Sequence, residues 1–141
     1  MIRIQPLLAV LLAGVLFAAA VPANAAHTER TPIYDGYSLA GYGQAASKSK
    51  WDIYSGYSRP GYVKRSSKGR WSVYEGDTRV GSVKRSGRRW NIYEGRSRIG
   101  YATRSSGRRT SIYVDFSRVG YTQGANGGPV GGAALLLGLV G

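Results

Sequence analysis

Apolar and polar residues alternate along most of this chain in short runs, and the runs recur. Trp51 and Ile53 fall on one parity, Asp52 and Tyr54 on the other; Trp71 and Val73 oppose Ser72 and Tyr74, and Trp90 and Ile92 oppose Asn91 and Tyr93. A period of two in β-branched and aromatic residues predicts a strand with one buried face. The Trp/Ile face is expected inward, because the other parity carries Asp, Ser and Asn. Turn residues follow, as in Glu75-Gly76-Asp77-Thr78 and Glu94-Gly95-Arg96-Ser97. A second strand then runs from Arg79 to Arg85, or from Arg98 to Arg104, with a Gly at its third position. That Gly is expected to let a neighbouring aromatic ring lie over the backbone. A second turn, such as Ser66 to Gly69 or Ser105 to Gly107, completes a β-hairpin of about six-residue strands.

The hairpin is written five times. Tyr34, Tyr54, Tyr74, Tyr93 and Tyr113 mark equivalent positions, spaced 20, 20, 19 and 20, and each is followed by an Arg/Leu-x-Gly element ending at Gly41, Gly61, Gly81, Gly100 or Gly120. Such periodicity identifies a multiplied supersecondary unit. The expected fold is all-β, with five repeated antiparallel hairpins forming a closed barrel or flower. Closure removes the unpaired edges that an open meander would leave in water. An open solenoid of hairpins is the alternative.

The two ends differ from the repeat. Residues 1–25 carry Arg3, an apolar stretch from Leu7 to Val21 and the triplet Ala23-Asn24-Ala25, the pattern of a secretory signal peptide. The repeat domain is then expected over 26–123, in a periplasmic or secreted protein. With no cysteine in the chain, its stability has to come from packing and backbone pairing rather than disulfides. Residues 124–141 read as a Gly-rich linker followed by an apolar tail, Ala133 to Val140. The tail is too short to span a bilayer as a helix, yet leaving its leucines in water is unfavourable by roughly 1.5–3 kcal/mol each. Eight strands about fill a barrel with their own side chains, so ten leave an axial space that a short apolar helix can plug. A dimer contact or a frayed tail is the alternative. Six-residue strands with charges at both ends also argue against an outer-membrane barrel, whose strands need about 9–11 residues.

Charge narrows the partners. Setting Arg3 aside leaves 19 of the 20 basic residues against 7 acidic ones, a net +12, which favours anionic partners. The basic residues cluster at the inter-unit turns: Lys64, Arg65, Lys68 and Arg70 at one; Lys84, Arg85, Arg88 and Arg89 at the next; Arg104, Arg108 and Arg109 at a third. All these turns lie at the same end of their hairpins, so closure gathers them on one rim, the candidate anion-binding site. Arginine suits phosphate and carboxylate, which its planar fork grips through two parallel hydrogen bonds.

Catalysis finds little support. His27 is the only histidine, no cysteine is present, and the carboxylates recur at turns as repeat features. A Ser-His-acid relay would have to use His27, at the expected new N-terminus, a zinc site lacks ligands, and no cofactor or metal is implied. The repeat Trp-x-Ile-Tyr-x-Gly-x-x-Arg-x-Gly-Tyr, as at Trp51 to Tyr62, resembles the small bacterial β-flower proteins, in which four or five hairpin units surround an axis. The resemblance covers Thr31 to Gln123 and implies the architecture without a residue-level function. A looser likeness of layout is to Tubby and scramblase-like barrels, where strands wrap a hydrophobic C-terminal helix. The sequence thus reads as an exported, non-enzymatic repeat protein, structural or interaction-mediating, whose basic rim meets anionic envelope polymers or lipid headgroups. Two alternatives are an anionic lipid-binding barrel and a single-stranded nucleic-acid binder, in which bases would stack on the aromatic rings.

Overall fold

The structure is a computed structural model that describes residues 29–141; the expected signal peptide and His27 lie outside the described residues. Ten strands follow one another as β1 (Arg30–Asp35), β2 (Ser38–Ser47), β3 (Lys50–Ser55), β4 (Ser58–Ser67), β5 (Arg70–Glu75), β6 (Thr78–Ser86), β7 (Arg89–Glu94), β8 (Ser97–Ser106), β9 (Arg109–Val114) and β10 (Ser117–Gln123), and a helix α1 (Gly127–Leu136) ends the order. Every strand pairs antiparallel with its sequence neighbours, and β1 pairs with β10 to close the barrel. The seam has Ile33 opposite Thr122 and Tyr34 opposite Tyr121. Closure, and not the open solenoid, is what the repeat builds.

The second strand of most hairpins is longer than the six residues expected, reaching ten in β2, β4 and β8. Stagger is the reason. β1 pairs along Ser38 to Gln44 of β2, whereas β3 pairs along Tyr42 to Ser47, so the two short neighbours overlap different parts of the long strand, as closing a tilted barrel requires. Register shifts sharpen the bend in every hairpin, each next to the repeat glycine, as between Val73 and Tyr74 where Gly81 precedes the shift. Further shifts accompany three inter-unit pairings, but β6 and β7 pair without one. That connection belongs to the unit with a spacing of 19, so the missing residue is the bulged one.

The alternation is oriented as expected. Ile33, Trp51, Ile53, Val63, Trp71, Val73, Val83, Ile92 and Ile112 are buried inside, and the tyrosines between them face outward. There they stack across strands in four pairs, Tyr34 on Tyr121, Tyr42 on Tyr54, Tyr62 on Tyr74 and Tyr101 on Tyr113, with centroids 4.6–5.1 Å apart. A cation from the start of a nearby strand covers many of these rings, as Arg30 does Tyr42 at 4.4 Å and Arg109 does Tyr121 at 4.2 Å. The fifth pair is missing because Ser82 stands opposite Tyr93.

Helix α1 lies inside the barrel and contacts strands on every side of it, β1 and β3 to β10. It begins at Gly127, so the glycines read as a linker are themselves helical and buried. Local propensity disfavours this, since Gly is about 1 kcal/mol worse than Ala in a helix, but the wall leaves no room for side chains. A Cβ on Gly128 would enter the Trp90 ring, and one on Gly132 would strike Val83. The fit is reciprocal, because Val130 of the helix occupies the space over Gly43 of β2. Two wall hydroxyls fasten this segment: Thr31 Oγ1 donates to the Ala125 carbonyl at 2.7 Å and Thr122 Oγ1 to that of Gly127 at 3.1 Å.

Glycine weakens a helix interior, but Gly138 lies past the end of α1 and terminates it. Its φ is 80°, Leu139 N–H donates to the Ala134 carbonyl at 2.8 Å, and Gly138 N–H to that of Leu135 at 3.3 Å, the paired bonds of a left-handed C-terminal cap. The chain then turns back, and the apolar end spreads over the five repeat glycines. Gly41 faces Leu139, Gly61 Leu137, Gly81 Leu136, Gly100 Leu135 and Gly120 Val140, each also packed against a tyrosine carbonyl of the adjoining strand. These glycines therefore receive the tail's aliphatic side chains, not the aromatic rings expected over them.

Candidate functional site

The inter-unit turns lie together at one mouth of the barrel, the end where the chain passes from β10 into α1. Alternation divides the basic residues predicted there. Lys64 pairs with Lys50 and Ser72, and Lys84 with Arg70 and Asn91, on the outer wall; Arg65 pairs with Trp71, Arg85 with Trp90 and Arg104 with Thr110, on the face that turns toward the mouth. Arg70, Arg89 and Arg109 begin strands on the outer wall. The Arg89 guanidinium sits 4.0 Å from the Tyr101 centroid, and Arg109 also donates through Nε to Gln123 Oε1 at 3.3 Å. Lys68 and Arg88 are exposed turn residues on two different connections.

Arg85, Arg88, Arg104 and Arg108 are the subset the fold brings together. They line a cleft of about 820 Å³ with Trp90, Ser105, Ser106, Thr110 and the segment Gly124 to Pro129. Its floor is the N-terminal turn of α1, whose first N–H groups have no intrahelical partner and receive no side-chain cap from Asn126. Positive helix-end polarity and four arginine side chains thus border one space, with Arg85 Nε donating to the Gly87 carbonyl at 3.1 Å. The Arg85 guanidinium lies 5.9 Å from the Trp90 ring centroid, near enough for the indole to sense an occupant. The nearest opposing charge is Glu29, whose Oε1 is 3.9 Å from Arg108 Nη2 at an exposed position, where solvent screens such a pair to little net value. Arginine side chains so placed are suited to phosphate or carboxylate, which a guanidinium can grip through forked hydrogen bonds.

A second cleft at this mouth, of about 520 Å³, is bounded by Glu29, Ala45 to Lys48, Trp51 and Asn126. Trp51 is 2% exposed, and its Nε1 is buried without a hydrogen-bond partner. Among the described residues no three His, Cys, Asp or Glu side chains gather as a metal-binding group, and no helix is long and apolar enough to cross a membrane.

Three side chains escaped the sequence reading. Tyr37, Tyr57 and Phe116 stand at the opposite end, on the tips of their hairpins, 84%, 109% and 96% exposed. Aligning the residue after each hairpin's positive-φ turn position would have found them: it is Tyr37, Tyr57, Asp77, Arg96 and Phe116 in the five units.

Set against known proteins, the chain matches no family model, no curated protein and no solved structure.

Proposed function

We propose that this chain is an exported, non-enzymatic β-barrel that binds anionic cell-envelope polymers at its mouth, with Arg85, Arg88, Arg104 and Arg108 as the gripping groups. The observation that carries the reading is the convergence of these four arginine side chains on one open cleft above an uncapped helix N-terminus. The expected basic rim thereby contracts to one arc, between the third, fourth and fifth hairpins. Export rests on the leader-like pattern of residues 1–25, and the petal-like architecture accords with the resemblance to β-flower proteins. Single-stranded nucleic acid is the weaker reading, because the tyrosines of the barrel wall are largely stacked on one another or covered by cations, and the exposed rings Tyr37, Tyr57 and Phe116 lie at the end remote from the arginine cleft.

Binding of purified lipopolysaccharide and of inorganic polyphosphate, followed through Trp90 emission, tests this. The variant Arg85→Gln/Arg88→Gln/Arg104→Gln/Arg108→Gln should lose at least tenfold in affinity for the polymer that binds. An equally neutralised outer-wall variant, Lys64→Gln/Arg70→Gln/Lys84→Gln/Arg89→Gln, should lose only the modest, salt-screened part. Equal losses in the two variants would show that net charge, and not the cleft, does the binding.

A further inference from the structure

The end remote from the arginine cleft has a chemistry of its own. Five hairpin tips project there, equivalent by repeat, and their outermost residues are not equivalent: Tyr37, Tyr57 and Phe116 on the first, second and fifth hairpins, Asp77 and Arg96 on the third and fourth. Along the chain the aromatic tips are split between its two ends. Around the barrel they are consecutive, because the β1–β10 seam sets the fifth hairpin beside the first. Leu39, 67% exposed, extends the apolar sector next to Tyr37.

We propose that this sector docks on a lipid bilayer, with Tyr37, Tyr57 and Phe116 entering the interfacial layer. Shape decides the kind of partner. Adjacent hairpins are two strand spacings apart, about 10 Å, so the three rings project separately; Phe116 borders a small cleft with Arg98, Tyr101 and Asp115, which neither tyrosine tip lines. A rigid macromolecule would need three matched cavities; the headgroup layer closes around each ring without them. Tyrosine suits that layer because its ring is apolar and its hydroxyl seeks water.

The rings, and not the local charges, fix the orientation. Within the sector Asp35 accepts a hydrogen bond from the Gly141 N–H at 3.3 Å and Arg59 pairs with Asp52 at 2.8 Å. Arg118 stands 5.7 Å from the Tyr37 ring centroid, placed to meet lipid phosphate when the ring is inserted, and Asp115 is the remaining acid. The other side of the same end carries Glu75, Asp77 and Glu94 against Arg79, Arg96 and Arg98, so its charges balance and do not set an orientation. With Tyr37, Tyr57 and Phe116 on the hairpins around the β10–β1 seam, the barrel leans onto that side. Its net positive charge draws it to the membrane, and the rings hold it there.

The test is co-sedimentation with vesicles of phosphatidylethanolamine and phosphatidylglycerol. The variant Tyr37→Ser/Tyr57→Ser/Phe116→Ser should partition at least tenfold more weakly than the wild type while melting at the same temperature, since the rings it loses are in water. At about 1 M salt, where the Debye length is about 3 Å, the wild type should retain measurable binding and the triple variant none. A Tyr57→Trp chain should show a blue shift on adding vesicles that the wild type does not. Equal sedimentation of wild type and triple variant overturns the proposal, as does a wild type that stays in the supernatant. A triple variant that instead abolishes a dimer would assign the sector to a second copy of the chain and overturn it too.

Discussion

Substituting Gly132 by Ala puts the helix-in-barrel arrangement to a quantitative test, because two effects of opposite sign compete at that residue. In a solvated helix the change is stabilising by about 1 kcal/mol. Within this barrel the new methyl would meet Val83, with Cγ1 at 3.1 Å, Cβ at 3.3 Å and Cγ2 nearer still. Val83 is completely buried on β6 and has nowhere to retreat in a close-packed interior. Overpacking of this kind costs about 1–3 kcal/mol, so Gly132→Ala should be destabilising on balance. Val83→Ala alone should cost roughly 1.5–3 kcal/mol through lost burial and the cavity left behind. When the two are combined, the methyl added to the helix occupies space that Val83 vacates, and the propensity gain is realised. The double variant should therefore be about 2 kcal/mol more stable than the sum of the singles, a coupling typical of touching residues. Urea unfolding monitored by tryptophan fluorescence gives each value; a shifted midpoint at unchanged m-value isolates stability. Strict additivity, or a Gly132→Ala chain more stable than the wild type, would refute the placement of α1 against β6.

Two further outcomes follow from the same packing. Ending the chain after Asn126 removes the buried Val130 and Val140 and the cover that Leu135, Leu136, Leu137 and Leu139 give the repeat glycines; at about 1.5–3 kcal/mol per buried side chain the loss matches a typical domain's whole stability of about 5–15 kcal/mol. The cooperative thermal transition should vanish, and a native-like melt would show that the barrel stands without its plug. Asp115 holds φ 54° where the other four hairpins have Gly36, Gly56, Gly76 and Gly95 near 60°. Asp115→Gly relieves about 1–2 kcal/mol of left-handed strain against about 0.4–1 kcal/mol of added unfolded-state freedom, so calorimetry should find a small rise in melting temperature.

What could be read along the chain was whatever each repeat states locally. Trp51, Ile53 and Tyr54 declare a strand and its buried face by alternation alone, and five copies with unsatisfied edges imply closure. The leucines of the tail declare that something must cover them. Gly127 to Gly132 could not be read in this way, because glycine's meaning there is set by Trp90, Val83 and Ile112 on strands far away in sequence, and a local rule sees only a flexible segment. The repeat glycines failed for the same reason. Their partners, Leu135 to Val140, are not in the repeat at all. At the mouth, clustering in sequence joined Lys84 to Arg85, whereas the pleat sends them to opposite faces.

Repetition and asymmetry have different owners in this molecule. Five near-equal hairpins make a wall that by itself would offer five near-equal tips and turns, with no preferred side. Two departures break that equality. The single tail threads the lumen and turns its N-terminal end toward the third to fifth units, so Arg85, Arg88, Arg104 and Arg108 line one cleft with the first turn of the helix. Point differences at the tips place Tyr37, Tyr57 and Phe116 on the seam side. The arginine arc and the aromatic arc consequently occupy opposite ends of one short barrel. A chain seated on a bilayer by its rings, as proposed, would hold the cleft away from that surface and open to an anionic polymer. Binding of polymer and of vesicles should accordingly be additive, and neither set of substitutions should weaken the other ligand by more than the shared loss of net charge explains.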